Sequence, residues 1–189
     1  MATDALTQVV RKANTTATVS SSLSPSVFRQ SVTFTVTVRS QSLLRGTSGD
    51  SAGMPGIACP TVNVQFSIDG SPFGDVVALA NGTATSGVVS TLSATGNMIT
   101  FAYAGDSNYN DNDNTSSPFT QTVNKAAIAS AVTSADNPTV YNVPATFYIT
   151  VGAVAPGAGT PSGTVNVMGG STQLGTVDLS RGTAFYTTD

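Results

Sequence analysis

Residues 31–38 read SVTFTVTV, and residues 144–151 read PATFYITV. In the first stretch Val32, Phe34, Val36 and Val38 alternate with Thr33, Thr35 and Thr37. A period of two places the apolar side chains on one face and the β-branched threonines on the other, which is the pattern of a half-buried strand. A slip of one residue would turn the whole apolar set outward, so the register is tightly specified. The second stretch has the same form, with Ala145, Phe147, Ile149 and Val151 inward. Phe34 and Phe147 stand 113 residues apart, as do Pro25 and Pro138, and Lys12 and Lys125. The last pair lies in LTQVVRKA (6–13) and FTQTVNKA (119–126). A fixed offset of this kind is the mark of a repeat.

Outward from this stretch the alternation continues. Val62, Val64, Phe66 and Ile68 alternate with Asn63, Gln65 and Ser67 over 61–68, and Asp69-Gly70 follows as a hairpin turn. A strand through Val76 and Leu79 leads to a second turn at Asn81-Gly82. Ile99, Phe101 and Tyr103 share a face, and a last strand near 117–124 carries Phe119 and Val123. After residue 160 the segments SGTVNV, LGTVDLS and RGTAFYTT copy the middle strands in order. Short strands between Gly, Asn and Asp turns indicate an all-β sandwich or barrel, and about seven strands per repeat favour an immunoglobulin-like sandwich. The expected organisation is a terminal strand of a preceding repeat or linker at 1–13, a complete sandwich at 14–124, and a second repeat at 125–189 lacking its last two strands. The expected core of the complete unit includes Val32, Phe34, Val36, Val64, Phe66, Ile99, Phe101 and Tyr103.

Composition narrows the function classes. All ten acidic residues are Asp, and the 189-residue chain has neither His nor Trp. A net charge of −3 argues against nucleic acid, which calls for clustered Lys and Arg. No apolar run approaches the ~20 residues needed to cross a bilayer. Without His, neither a Ser-His-Asp nor a Cys-His arrangement can be built, so no catalytic residue is expected. Cys59, the single cysteine, permits no internal disulfide.

Two stretches stand out as candidates. GDSNYNDNDN (105–114) is rich in side-chain oxygen, and calcium takes six to eight oxygen ligands, which makes Asp106, Asn108, Asp111 and Asp113 weak calcium candidates. The spacing fails the EF-hand pattern, because Asp111 stands where Gly is required and no closing Glu exists. Turn chemistry is the simpler reading: Gly105 suits positive φ, Asp and Asn bond nearby amides, and the Tyr103 hydroxyl needs a partner. The other candidate is the long 41–59 loop, whose Leu43, Leu44, Met54 and Ile57 are unusually apolar for a loop and form a possible contact surface.

Taken in order, SPSVFRQSVTFTVTV, IDGSPFGDV, NGTAT, MITFAYAGDSNYN and FTQTVNKA resemble the bacterial Ig-like repeats found in tandem in large surface proteins. The most specific element is Tyr103 to Tyr109, similar to the Tyr-x-Gly-Asp-x-Asn-Tyr motif that closes that family's sixth strand. The entry segment departs from the family at Arg29, where Gly is usual, and at Val143-Pro144, where Gln-Ser is usual. The resemblance implies non-catalytic spacer or adhesin modules, extracellular or at the cell surface, within a larger exported protein. It implies neighbouring repeats or copies of the chain as partners, with a surface glycan or protein as a further ligand. An adhesive or carbohydrate-binding module using the 41–59 loop is the alternative, as is an accessory domain of an exported enzyme or phage tail protein. A second repeat short of two strands suggests either completion by strand addition, with LTQVVRKA of another copy as donor and a head-to-tail fibre as the outcome, or missing strands that belong to sequence outside this segment.

Overall fold

The structure, a computed structural model, describes residues 7–41 and 59–188. Among the described residues there is no helix. The strands are β1 (Thr15–Ser21), β2 (Ser26–Val27), β3 (Phe34–Ser40), β4 (Asn63–Ile68), β5 (Ser71–Ala78), β6 (Thr83–Thr85), β7 (Gly96–Tyr103), β8 (Asn112–Asp113) and β9 (Phe119–Asn124). They continue with β10 (Ile128–Ser134), β11 (Thr146–Ala153), β12 (Gly163–Gly169), β13 (Thr172–Leu179) and β14 (Thr183–Thr187).

The chain divides into two compact units. The first holds Met1–Ser26, Ser31–Val89 and Thr95–Thr122, and the second holds Val27–Gln30, Ser90–Ala94 and Val123–Asp189. The main division falls between Thr122 and Val123, and two short pieces, Val27–Gln30 and Ser90–Ala94, group with the second unit.

β1, β3 and β6 form one antiparallel sheet, and β2, β9, β7, β4 and β5 form another in that order, with β8 beside β7. The alternation of 31–38 is realised on β3: Phe34 and Val36 are fully buried, while the threonines between them are only partly covered. The other sheet supplies Val64, Phe66, Ile99, Phe101 and Tyr103, each at most 2% exposed. Every residue of the expected core is buried. Fully burying a side chain of this kind contributes about 1.5–3 kcal/mol, so these two inner faces are the main source of stability.

Val62 departs from the expected alternation. It precedes β4, has φ 74° and is 47% exposed, while its carbonyl accepts the Leu79 amide at 2.8 Å. Positive φ is uncommon for a β-branched residue. Here it turns Val62 off the strand face, so the apolar row starts at Val64.

The second unit reproduces the first sheet in detail. β1 pairs with β3 from Thr15↔Ser40 to Ser21↔Phe34, and β10 pairs with β11 from Ile128↔Ala153 to Ser134↔Phe147, the same register 113 residues on. β14 joins β11 as β6 joins β3. The entry to each of these third strands is a tight turn with two positive φ values: 51° and 73° at Asn81-Gly82, 53° and 77° at Arg181-Gly182. Positive φ at both central residues defines the type I′ turn that suits hairpin twist. A Cβ on Gly82 would stand 2.7 Å from the Val38 carbonyl, and one on Gly182 would stand 2.8 Å from that of Val151. Among the described residues, the other sheet of the second unit contains β12 and β13 alone.

The segment 7–12 forms no strand, and Val9 and Val10 are 71% and 86% exposed. Only Ala13 is bridged, parallel to Tyr109.

Candidate functional site

The turn after β7 is built around one carboxylate. Gly105, at φ 77°, reverses the chain where a Cβ would lie 2.8 Å from the Tyr109 carbonyl, and this brings Asp106 back under the strand. Asp106 Oδ1 accepts the amides of Asn108 at 2.8 Å and Tyr109 at 2.9 Å. Oδ2 accepts the Thr61 amide and hydroxyl, both at 2.9 Å, and the Tyr103 hydroxyl at 3.2 Å. Burial opposes the charge, but the donors from Thr61, Asn108 and Tyr109 outweigh it and hold the carboxyl at about 2. Burial and the neighbouring Asp106 charge push the Tyr103 hydroxyl well above its ordinary value, so it remains a donor. Tyr109 is raised by its burial and by the charges of Asp106 and Cys59, against a hydrogen bond with Ser40.

The remaining oxygen-bearing residues are spread along the turn. The Asn108 carbonyl accepts from Ala13, and Asn110 Nδ2 donates to Asn14 Oδ1 at 2.8 Å. Asp113 Oδ1 accepts the Thr115 amide and hydroxyl, and these bonds lower its pKa. Asn114 lies along β7, where Oδ1 accepts the Phe101 amide at 2.8 Å and Nδ2 donates to the Ile99 carbonyl at 3.2 Å. Asp106 thus points into the protein, while Asp111 and Asp113 are exposed. Among the described residues no three His, Cys, Asp or Glu side chains gather as a metal site. The candidate aspartates Asp106, Asp111 and Asp113 therefore do not gather as a set, the Asn108 amide bonds Asp106, and the arrangement works as a fastening. It ties β7 to Thr61 at the entry of β4 and to Ala13 before β1. The apolar candidates Leu43, Leu44, Met54 and Ile57 lie outside the described residues.

The more open surface is in the second unit. A trough of about 330 Å³ is lined by Val132, Phe147 and Ile149 on one side and by Val165, Val167 and Leu174 on the other. These positions belong to the inward faces of β10, β11, β12 and β13. Only Ile149 among them is buried; Val132 is 61% and Leu174 is 45% exposed. On the outer face of β11 and β14, Tyr148 and Phe185 are cross-strand partners, 53% and 70% exposed. The first unit has Thr35 and Thr85 at that pair, with their hydroxyls 3.1 Å apart. An open face is expected from a repeat short of two strands, whereas the exposed pair Tyr148 and Phe185 is not. The available signal for that pair is the alignment of the two units, which sets Tyr148 against Thr35 and Phe185 against Thr85.

The chain matches no protein-family model and no curated protein sequence.

Proposed function

We propose that the chain is a non-catalytic spacer, built of tandem immunoglobulin-like repeats from a bacterial surface or secreted protein. The observation that carries this reading is the coincidence of register between the units: seven β1–β3 pairs recur as seven β10–β11 pairs 113 residues on. A repeated rigid unit whose polar turn residues bond one another serves to set distance, since stability in such arrays is held unit by unit. The Asp106 turn supports the same reading, because its polar atoms are spent on fastening strands. The resemblance of Tyr103 to Tyr109 to the bacterial Ig-like motif points to the same class.

The test is a surface display in which the chain separates a cell anchor from an epitope tag. A spacer predicts that deleting the chain abolishes antibody access to the tag. Replacing it by an unrelated pair of β-sandwiches of equal length then restores access and every other property of the cells. If adhesion to glycan-coated or protein-coated surfaces disappears with the replacement while access is kept, the adhesive module is the better reading.

A further inference from the structure

The first unit shows what closes the surface that the second unit leaves open. There β4 is paired on both edges, with β5 through Val64↔Val77, and with β7 through Val64↔Tyr103, Phe66↔Phe101 and Ile68↔Ile99. β12 is paired with β13 through Val165↔Val177, which makes Val165 the counterpart of Val64 and Val167 that of Phe66. Among the described residues no strand pairs with the other edge of β12. The side chains behind that edge report the same thing. Val64 and Phe66 are at most 1% exposed, whereas Val165 and Val167 are only partly covered, and the trough beside them is apolar. A row of free amides and carbonyls beside an apolar trough is a template for strand addition, with main-chain bonds giving affinity and alternate side chains giving selectivity.

We infer that the free edge of β12 is a strand-acceptor site. Its occupant is an antiparallel partner strand of the β7 pattern, from polypeptide outside residues 127–188. That pattern is Ile-x-Phe-x-Tyr, set so that the Tyr stands opposite Val165 and the Phe opposite Val167. The pairing continues an interface the molecule already contains once, between β4 and β7. The same comparison disfavours the arm 7–12 of a second copy. That arm matches β9, which lies beyond β7 in the sheet order and is not a neighbour of β4. Its alternate positions are Thr7, Val9 and Arg11 on one side and Gln8, Val10 and Lys12 on the other. Each side offers a single valine to a trough that the first unit fills with Ile99, Phe101 and Tyr103.

The test titrates the full chain with a synthetic peptide of residues 96–124, followed by calorimetry and amide hydrogen exchange. A control peptide carries Ile99→Asp and Phe101→Asp, so the two peptides are compared on the unaltered chain. The expected result is one peptide per chain, exchange of β12 amides slowed by at least about tenfold, and binding of the control weaker by at least about tenfold. Absence of binding, equal binding of the two peptides, or protection confined to other strands would overturn the inference. So would protection of β12 that appears without peptide, rises with chain concentration and vanishes when residues 1–12 are removed, because the second copy would then be the occupant.

Discussion

At the scale of single residues, equivalent positions in the two units make internal controls. Phe34 is fully buried on β3, and Phe147 holds the same register on β11 with part of its ring uncovered. Phe34→Ala should cost about 3–5 kcal/mol in the unfolding of the first unit, the usual range for a buried Phe. Phe147→Ala should cost about 1–2 kcal/mol, because solvent already reaches the ring and no closed cavity is left. Urea titrations followed by hydrogen exchange at β3 and β11 separate the two values, and equal losses would mean the inner faces are equally closed. Asp106 gives the pH dependence. Its folded pKa of about 2 lies below the ordinary carboxylate value, so its contribution is fully present above about pH 4 and is lost as pH falls from there towards 2. Solvent reaches part of the carboxyl, so the loss should be no more than about 1–2 kcal/mol. The stability difference between the chain and Asp106→Asn should shrink over that window, and a constant difference would show that charge has no part in the fastening. The row of inward apolar residues was legible in the sequence because strand periodicity is local. The partner of Asp106 was not, because Thr61 is 45 residues away and only the folded sheet brings the two together.

At the scale of elements, strands with strict alternation and turns with Asp-Gly or Asn-Gly are legible in the sequence, apart from Val62, which positive φ turns off the strand face. Asp69-Gly70 has φ values of 49° and 81°, as a type I′ hairpin requires. The two-residue strands β2 and β8 escaped the reading, since a pair that short has no period. The edge formed by Asn114 escaped for another reason: there a side chain makes the two bonds that a strand backbone would make. Gln121 is a third case, an amide at 0% exposure on the inward face of β9. Its Nε2 donates to the Leu23 carbonyl at 2.9 Å and to Ser26 Oγ at 3.2 Å, so it anchors the loop that leads into β2. The repeated turn yields a prediction at this scale. Gly82→Ala and Gly182→Ala each force a Cβ against a carbonyl that the turn approaches closely, in a conformation that L residues rarely adopt. Each should cost about 1–3 kcal/mol, and each only in its own unit. Gly70→Ala meets no atom within 4 Å and should cost less, about 1 kcal/mol from its positive φ alone. Circular dichroism melts of the three variants check the order.

At the scale of the whole molecule, the two units share the register of their first sheets and differ in closure. The first unit buries both inner faces, and its largest fully buried side chains include Tyr103, Phe34, Phe66 and Ile99. The second unit buries Ile149 and Val151 but leaves Val132, Met168 and Leu174 at 61%, 51% and 45% exposure on or beside an open trough. Since buried apolar area is the dominant favourable term, the second unit should have the smaller free energy of unfolding. The chain should therefore unfold in urea in two steps, with the strands β10 to β14 leaving first and the midpoints separated by at least about 1 M. Exchange of β11 and β14 amides should become rapid in the first step, while β3 and β7 remain protected until the second. A single step in which all four strands lose protection together would show that the two units share one cooperative core. The β7-pattern peptide sharpens the test, since a ligand that binds only the folded second unit stabilises it by about 2.7 kcal/mol at a concentration of 100 Kd. With saturating peptide the first midpoint should rise towards the second while the second stays fixed. A rise in both would place the peptide on a surface belonging to the first unit as well, and no rise in either would remove strand addition at β12 as a source of stability.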